Sequence, residues 1–437
     1  MDKLHAYRQA FAHLPEGCTA AEVNLICKEN TQISCAAGEM KGCTTSERNM
    51  LFVRATGKAT GIVYCENLDK DPLELIAMAL ENASVVEAAQ PQPMLENHHD
   101  AHVCESAHAV TAQELIGKAK EWSLLPGVLH CSITQCIRHS LVLNSLGTET
   151  AQCQPIYTVS LGVPGKGEDN FKSKECSAQS LDAIDVEKMM RELEAESVLD
   201  HAELPFVKLP SGAYDAVISS AVMTNIMNTA WQLFSQRLID ANRTPLRVGD
   251  KLGTDKLQII DCPVSPWSGY DFTIDGEGVR GPAENLLVSD GVIVGSLRTL
   301  KHGESTGSAE RADLLSGNIN TELIPVPRNI WVQPGEKSPE ELIAQMGTGI
   351  HLTYSMDEYH SLNIASATFS IPCGGVYYEN GKAVGRLQQM NLCGSFKELF
   401  AGLEDVADDM TMHAMWPHYD YCFGGPSLLV RSAQFAM

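Results

Sequence analysis

Along these 437 residues, two-residue alternation and capped helical faces follow one another without a regular strand–helix–strand rhythm. A doubly wound parallel sheet needs that rhythm, because each parallel crossover is built on a helix. The mixture predicts an α+β fold instead. The length suggests two to three domains with ample core.

Leu4, Tyr7, Phe11 and Leu14 recur at helical spacing. Residues 50–68, MLFVRATGKATGIVYCENL, carry β-type runs broken at Gly57 and Gly61, which predicts a hairpin-like pair. Asp71, Pro72 and Glu74 mark a helix start, and Leu73, Ile76, Ala77, Leu80 and Ala83 its apolar face. Thr111 and Glu114 form a second capping box, for a helix running to about Ser123. From Val128, VLHCSITQCIRHSLVLNSLG alternates as two half-buried strands, and QPIYTVSLGV continues the sheet. Residues 182–197 predict a third helix. YDAVIS, at 214–219, reads as a strand and SAVMTNIMNTAWQLFSQRL, at 220–238, as the helix after it. Ser338, Pro339, Glu341 and Gly347 start and stop a short helix. Ser395 and Glu398 open the last one, with Phe396, Leu399, Leu403 and Val406 on its apolar face.

The chain holds 32 Lys+Arg against 55 Asp+Glu, a formal charge of −23. That balance disfavours direct nucleic-acid binding, which draws on Lys and Arg to neutralise phosphates. No stretch approaches the roughly 20 apolar residues of a membrane span. The apolar residues at the start recur at helical spacing rather than forming a continuous block, so no export signal is read there. The 14 cysteines are scattered and read as reduced cytoplasmic thiols.

Several phrases occur in a fixed order. YDFTIDGEGVRGPAENLLVSDGVIVGSLRTLKHGESTGSAER spans Tyr270 to Arg311, followed by PVPRNIWVQPGEKSPEELIAQMGTGIHL and FSIPCGGVYYENGKAVG. This set resembles the C-terminal domain of the TldD/PmbA family, the modulators of DNA gyrase. VRATGKATG with DKDPLELIAMALENA resembles the family's N-terminal domain, and Asn144–Gly147, NSLG, its central one. The resemblance implies an N-terminal mixed α/β domain over 1–90, a linker over 91–110, a small central domain over 111–211, and a large C-terminal domain of bent β-sheets over 212–437. It implies a cytoplasmic dimer that takes part in proteolysis of unfolded or small peptides. The family's metal-bearing subunit carries H-E-x-x-x-H on a helix, and this chain has neither that pattern nor H-E-x-x-H. It therefore resembles the PmbA, or TldE-like, subunit. No metal and no cofactor are expected here, and zinc is expected in a partner. The implied partner is a second copy or a metal-bearing TldD-like paralogue.

A zinc protease needs paired ligands one turn apart and a carboxylate that deprotonates the metal-bound water. At the family's metal-helix positions this chain has Thr224, Asn225 and Thr229. Threonine is a poor zinc ligand, and asparagine cannot accept a proton as a carboxylate does. The helix reads as core through Met223, Ile226, Met227, Ala230 and Phe234. Cys422 lies where the family takes a further ligand, and one thiol alone makes no zinc site. No catalytic residue is assigned, although the family is one of hydrolases.

His98, His99, His102, Cys104 and His108 read as a solvated linker loop rather than a metal site. Cys131 and Cys136 would point to opposite faces of one strand. GESTG, around Ser305, matches the nucleophile elbow formally, but turn formers follow it where a helix is required. In the family context Arg298, Ser305 and Arg311 are candidate cleft and peptide contacts. Asp271, Asp275 and Glu277 lack the spacing of a calcium loop, and Gly276, Gly278 and Gly281 read as turn glycines. Two alternatives stay open: a non-proteolytic homodimeric scaffold, and a serine hydrolase using Ser305.

Overall fold

In the computed structural model, which describes residues 4–85, 91–103, 110–165, 172–198, 203–268, 270–313, 318–413 and 421–437, the alternation of the first half builds a seven-stranded sheet. Its strands are β1 (Ala20–Ala36), β2 (Glu39–Thr56), β3 (Thr60–Cys65), β4 (His99–Val103), β5 (His130–Asn144), β6 (Glu149–Val163) and β7 (Lys172–Ala178). Their order is β3-β2-β1-β5-β6. The far edge of β6 is shared: β4 runs parallel beside Glu149–Cys153, and β7 antiparallel beside Tyr157–Val163.

Side chains alternate between faces. On one face Val23, Leu25 and Val53 pack under α1 (His5–Ala10) and α2 (Pro72–Val85), against Tyr7, Ile76 and Ala79. Further along, Ile33, Ile133 and Val159 lie under α3 (Ala112–Trp122) and α4 (Val186–Val198), against Leu115, Ala119 and Leu193. The other face carries Glu22, Asn24, Arg54, Arg138, Gln152 and Gln154, each no more than 5 % exposed. The C-terminal half covers that polar face.

That half contains β8 (Gly212–Ile218), β9 (Ile259–Cys262), β10 (Asn285–Ser289), β11 (Val292–Ile293), β12 (Ser308–Asp313), β13 (Asn318–Val326) and β14 (Asn329–Val332). It continues through β15 (Gly349–Ser355), β16 (Leu362–Asn363), β17 (Thr368–Glu379), β18 (Lys382–Ser395), β19 (Leu403–Val406), β20 (Thr411–His413), β21 (Cys422–Gly425) and β22 (Leu428–Ala436). The pairings β15-β8-β22-β18-β17 return from β17 to β15, so five strands close into a barrel. A second sheet runs β11-β10-β9-β14-β21-β20. Between them lies α5 (Ser220–Ala230), and one core joins Ile218, Met223, Ile226, Ile330, Leu352 and Phe423. The short helices are α6 (Gln236–Asp240), α7 (Pro339–Met346), α8 (Glu358–Ser361) and α9 (Phe396–Ala401). The fold is α+β, as expected. Among the described residues no helix is long and apolar enough to cross a membrane.

The capping boxes at Thr111, Ser338 and Ser395 form as the sequence predicts. Other expectations fail for tertiary reasons. The two strands expected after Val128 are one, because β5 pairs without interruption with β1 and β6. Gly61 breaks no strand; it lies inside β3, where a Cβ would come 2.1 Å from the Ala79 carbonyl oxygen of α2. The buried face of α2 is Leu75, Ile76, Ala79 and Ala83, with Leu73 and Ala77 exposed. The helix expected to run from 220 to 238 breaks after Ala230, because Ser235 becomes extended and pairs with Leu297. The last helix stops at Ala401, since Leu403–Val406 forms β19 against β22. The expected solvated loop at 98–103 contains β4 instead; Cys104 and His108 lie outside the described residues.

Candidate functional site

The helix α5 follows β8 as expected, started by Ser219, whose hydroxyl accepts from the Val222 N–H at 3.4 Å. Thr224 is fully buried, and its hydroxyl donates to the Thr411 carbonyl at 3.0 Å. Asn225 donates its amide to Ser355 Oγ at 3.4 Å. Thr229 is 2 % exposed, with no partner for its hydroxyl among the described residues. These donors do not fit a zinc ion: two buried hydroxyls and an amide offer no imidazole, thiolate or carboxylate. Among the described residues no group of three or more His, Cys, Asp or Glu is arranged to hold a metal. Cys422 is buried, hydrogen-bonded to Ser268, and burial raises its thiol well above the usual range. A thiol held protonated is a weak ligand and a weak nucleophile.

The two halves of the chain meet on a polar surface. The Tyr270–Pro282 loop lies on the inner face of the N-terminal sheet. Asn24 donates to the Gly276 carbonyl at 2.6 Å, Gln152 accepts from the Ile274 N–H at 2.6 Å, and Arg280 grips Asp100 with Nε at 2.7 Å and Nη2 at 2.8 Å. His102 meets Asp271 at 2.5 Å. Behind them, Glu22 and Arg54 form an ion pair at 2.6 Å with both side chains 1 % exposed.

Three further carboxyls are buried here: Asp261, Asp275 and Glu277. Asp275 accepts from Ser305 Oγ at 3.0 Å, and Glu277 accepts from the Leu300 N–H at 2.8 Å. Burial pushes Asp261 up to about 7, opposed by the Arg328 charge. Burial, reinforced by Asp275, pushes Glu277 up to about 8. Asp275 is raised too, again by burial. Such groups keep protons that the unfolded chain has released. Their contribution to stability is therefore complete below about pH 4 and is lost as the pH rises to about 8. Replacing Glu277 by Gln keeps the acceptor for Leu300 and removes one such group. The variant is expected to show a shallower decline in unfolding free energy from pH 5 to pH 9 in urea titrations. Identical pH slopes for the two proteins would refute that ionisation.

Of the candidate contacts, Ser305 and Arg298 lie side by side. Ser305 is 4 % exposed, and its hydroxyl also donates to the Arg298 carbonyl at 3.3 Å. Its partner is a carboxylate rather than an imidazole, and the next element is β12, not a helix, so the nucleophile-elbow geometry is missing. Arg298 is half-buried beside it. Arg311 belongs to β12, and its side chain lies outside the described residues. Gly278 closes a turn onto Asp275, whereas Gly281 is required because Arg328 passes 1.5 Å from where its Cβ would stand.

Sequence reasoning missed a small cleft beside Cys422, about 20 Å³ in volume. Glu175 and Ser177 of β7 form one wall; Trp267, Ser268 and Tyr270 form the opposite wall, and Met412 and His413 of β20 close it. Burial, reinforced by Lys174, holds His413 below its usual range and so neutral near pH 7. Trp267, in the segment before Tyr270, was the only sequence signal: an indole among turn formers.

The profile of the PmbA/TldA metallopeptidase C-terminal domain matches residues 211–437, and the chain belongs to the TldD/PmbA family. TldE from Thermococcus kodakarensis is similar over 99 % of this chain and 100 % of that one, at 17 % identity and a TM-score of 0.78. A protein described as a modulator of a DNA gyrase from Thermotoga maritima is similar over 100 % and 99 %, at 19 % identity and a TM-score of 0.73. A counterpart from Bacteroides thetaiotaomicron is similar over 99 % and 98 %, at 16 % identity and a TM-score of 0.73. These likenesses establish a shared fold. No curated protein matches the chain by sequence.

Proposed function

We propose that this chain is the TldE-like, non-metal subunit of a TldD/PmbA-type zinc metalloprotease. It shapes the cleft of a metal-bearing partner that cleaves unfolded or small peptides. What supports the reading is the helix α5, which holds Thr224, Asn225 and Thr229, the residues that the family resemblance sets against a His, a Glu and a His, and which carries no imidazole or carboxylate of its own. Family membership and the likeness to a TldE support it.

Assembly tests the proposal. At micromolar concentration the chain is expected to sediment as a dimer, with itself or with an H-E-x-x-x-H paralogue. An obligate interface of this kind buries more than about 2,000 Å². A monomer unchanged by the added paralogue would rule out the capping role. A homodimer that ignores the paralogue would favour a non-proteolytic scaffold.

A further inference from the structure

We infer that the free edge of β2, residues 39–49, docks a second copy of this chain, the two strands pairing antiparallel about a two-fold axis at Thr44. The inference rests on the subunit reading only in expecting a dimer. It adds the surface that makes one and commits to a like partner rather than a paralogue.

The fold leaves this edge open. β3 covers β2 from Leu51 to Thr56, and among the described residues no strand pairs with the same side over residues 39–50. Glu39 to Arg48 are all exposed except Gly42, which is half-buried. The direction of the backbone groups follows from Ala21. Its N–H donates to Ser145 Oγ at 2.9 Å and its carbonyl accepts from the Ser145 N–H at 2.8 Å, both on the β5 side. Backbone groups alternate sides along a strand, so odd-numbered residues of β1 face β5 and even-numbered ones face β2. Across the β1–β2 ladder, Cys43, Thr45, Glu47 and Asn49 therefore turn their N–H and C=O groups outward. An open row of such groups is a template for another strand.

Sterics and charge select the occupant. Two copies related by a two-fold axis set odd residues against odd. The longest such overlap that keeps each β2 clear of the other copy's β3 places Glu39 opposite Asn49. It also sets Lys41 opposite Glu47 at both ends, Cys43 opposite Thr45, and Thr44 opposite itself. Lys41 meets Glu39 at 2.7 Å in an exposed pair, which exchanges at little cost. The register shift between Ser34 and Cys35 makes Lys41 the extra residue of a β-bulge. The intermolecular ladder is therefore residues 42–46, flanked by the two Lys41–Glu47 ion pairs. Glu39, Lys41, Glu47 and Arg48 cancel in charge, so two chains of −23 meet on a neutral strand.

The test joins sedimentation of the full chain to cross-linking. Thr45→Pro deletes an outward N–H and no bond to β1, so the fold tolerates it. It is expected to raise the dimer dissociation constant at least about tenfold, two hydrogen bonds being lost, at unchanged melting temperature. Across the axis Thr44 faces its own copy in a pair of the closer kind, with Cα atoms about 4.5 Å apart, within disulfide reach. Cys43→Ser/Thr44→Cys is expected to give a covalent dimer with diamide. Cys43→Ser alone and Cys43→Ser/Ser46→Cys are expected to give none. A dimer that survives Thr45→Pro, or equal cross-linking at 44 and 46, would overturn the edge and leave the subunit reading standing. So would a chain that is monomeric alone and dimerises with the paralogue. A covalent dimer through position 44 that no paralogue joins would support the edge and refute the subunit reading.

Discussion

Arg328→Met is expected to lower the unfolding free energy by about 3–5 kcal/mol, a large share of the roughly 5–15 kcal/mol that keeps a domain folded. Arg328 is fully buried, and its Nη2 donates to the Gly307 carbonyl at 2.6 Å and its Nη1 to that of Pro282 at 3.3 Å. Its charge opposes the burial penalty of both Asp261 and Asp275. Removing it strands two carbonyl groups and leaves the carboxyls to bind protons. Arg328→Lys is expected to recover little, because a point charge cannot span both carbonyls. Gly281→Ala should be comparably damaging: its Cβ would lie 1.5 Å from Nη2. Urea unfolding at pH 7 measures all three. A loss below about 1 kcal/mol for Arg328→Met would mean that the buried network is dispensable.

The second large effect is on catalysis. Alone, the chain is expected to leave unfolded peptides intact; mixed with an H-E-x-x-x-H partner, it is expected to support cleavage that a chelator abolishes. Hydrolysis of this kind needs a metal-activated water and a general base. Asn225 cannot serve as a base, and its amide is engaged with Ser355. Thr224→Ala should keep the mixed activity within a few-fold at a stability cost of about 1 kcal/mol for its bond to Thr411. Thr229→Val deletes a buried hydroxyl without a partner among the described residues and should be neutral or stabilising. Cleavage by the isolated chain that Ser305→Ala abolishes would instead establish the serine-hydrolase alternative.

How legible the site was depended on the kind of information each residue carries. The absence of paired ligands on α5 was readable, since ligand chemistry belongs to residue identity. The buried network was not. Glu22, Asn24 and Lys28 alternate with Val23, Leu25 and Cys27, a pattern that any strand with one wet face would show. The pattern does not reveal that the Tyr270–Pro282 loop, some 250 positions later, covers the polar face. Asp261 and Arg328 are likewise joined only by folding. The cleft needed four separate segments, β7, the stretch with Trp267, Ser268 and Tyr270, β20 and β21, none of which signals a site alone.

What the residues determined by themselves was local: caps at Thr111, Ser338 and Ser395, the buried face of α5 through Met223, Ile226, Met227 and Ala230, and the α+β class. These rest on contacts within a few positions of one another, where spacing is geometry. Only the tertiary structure decided where α5 breaks and where α9 stops. At both places pairing with a distant segment, at Leu297 and in β22, outweighs a helical preference of a few tenths of a kcal/mol per residue. It alone decided that Gly61 serves close packing against α2, and that a polar sheet face is interior. Burial depends on what the rest of the chain places over a surface, and no local spacing encodes that.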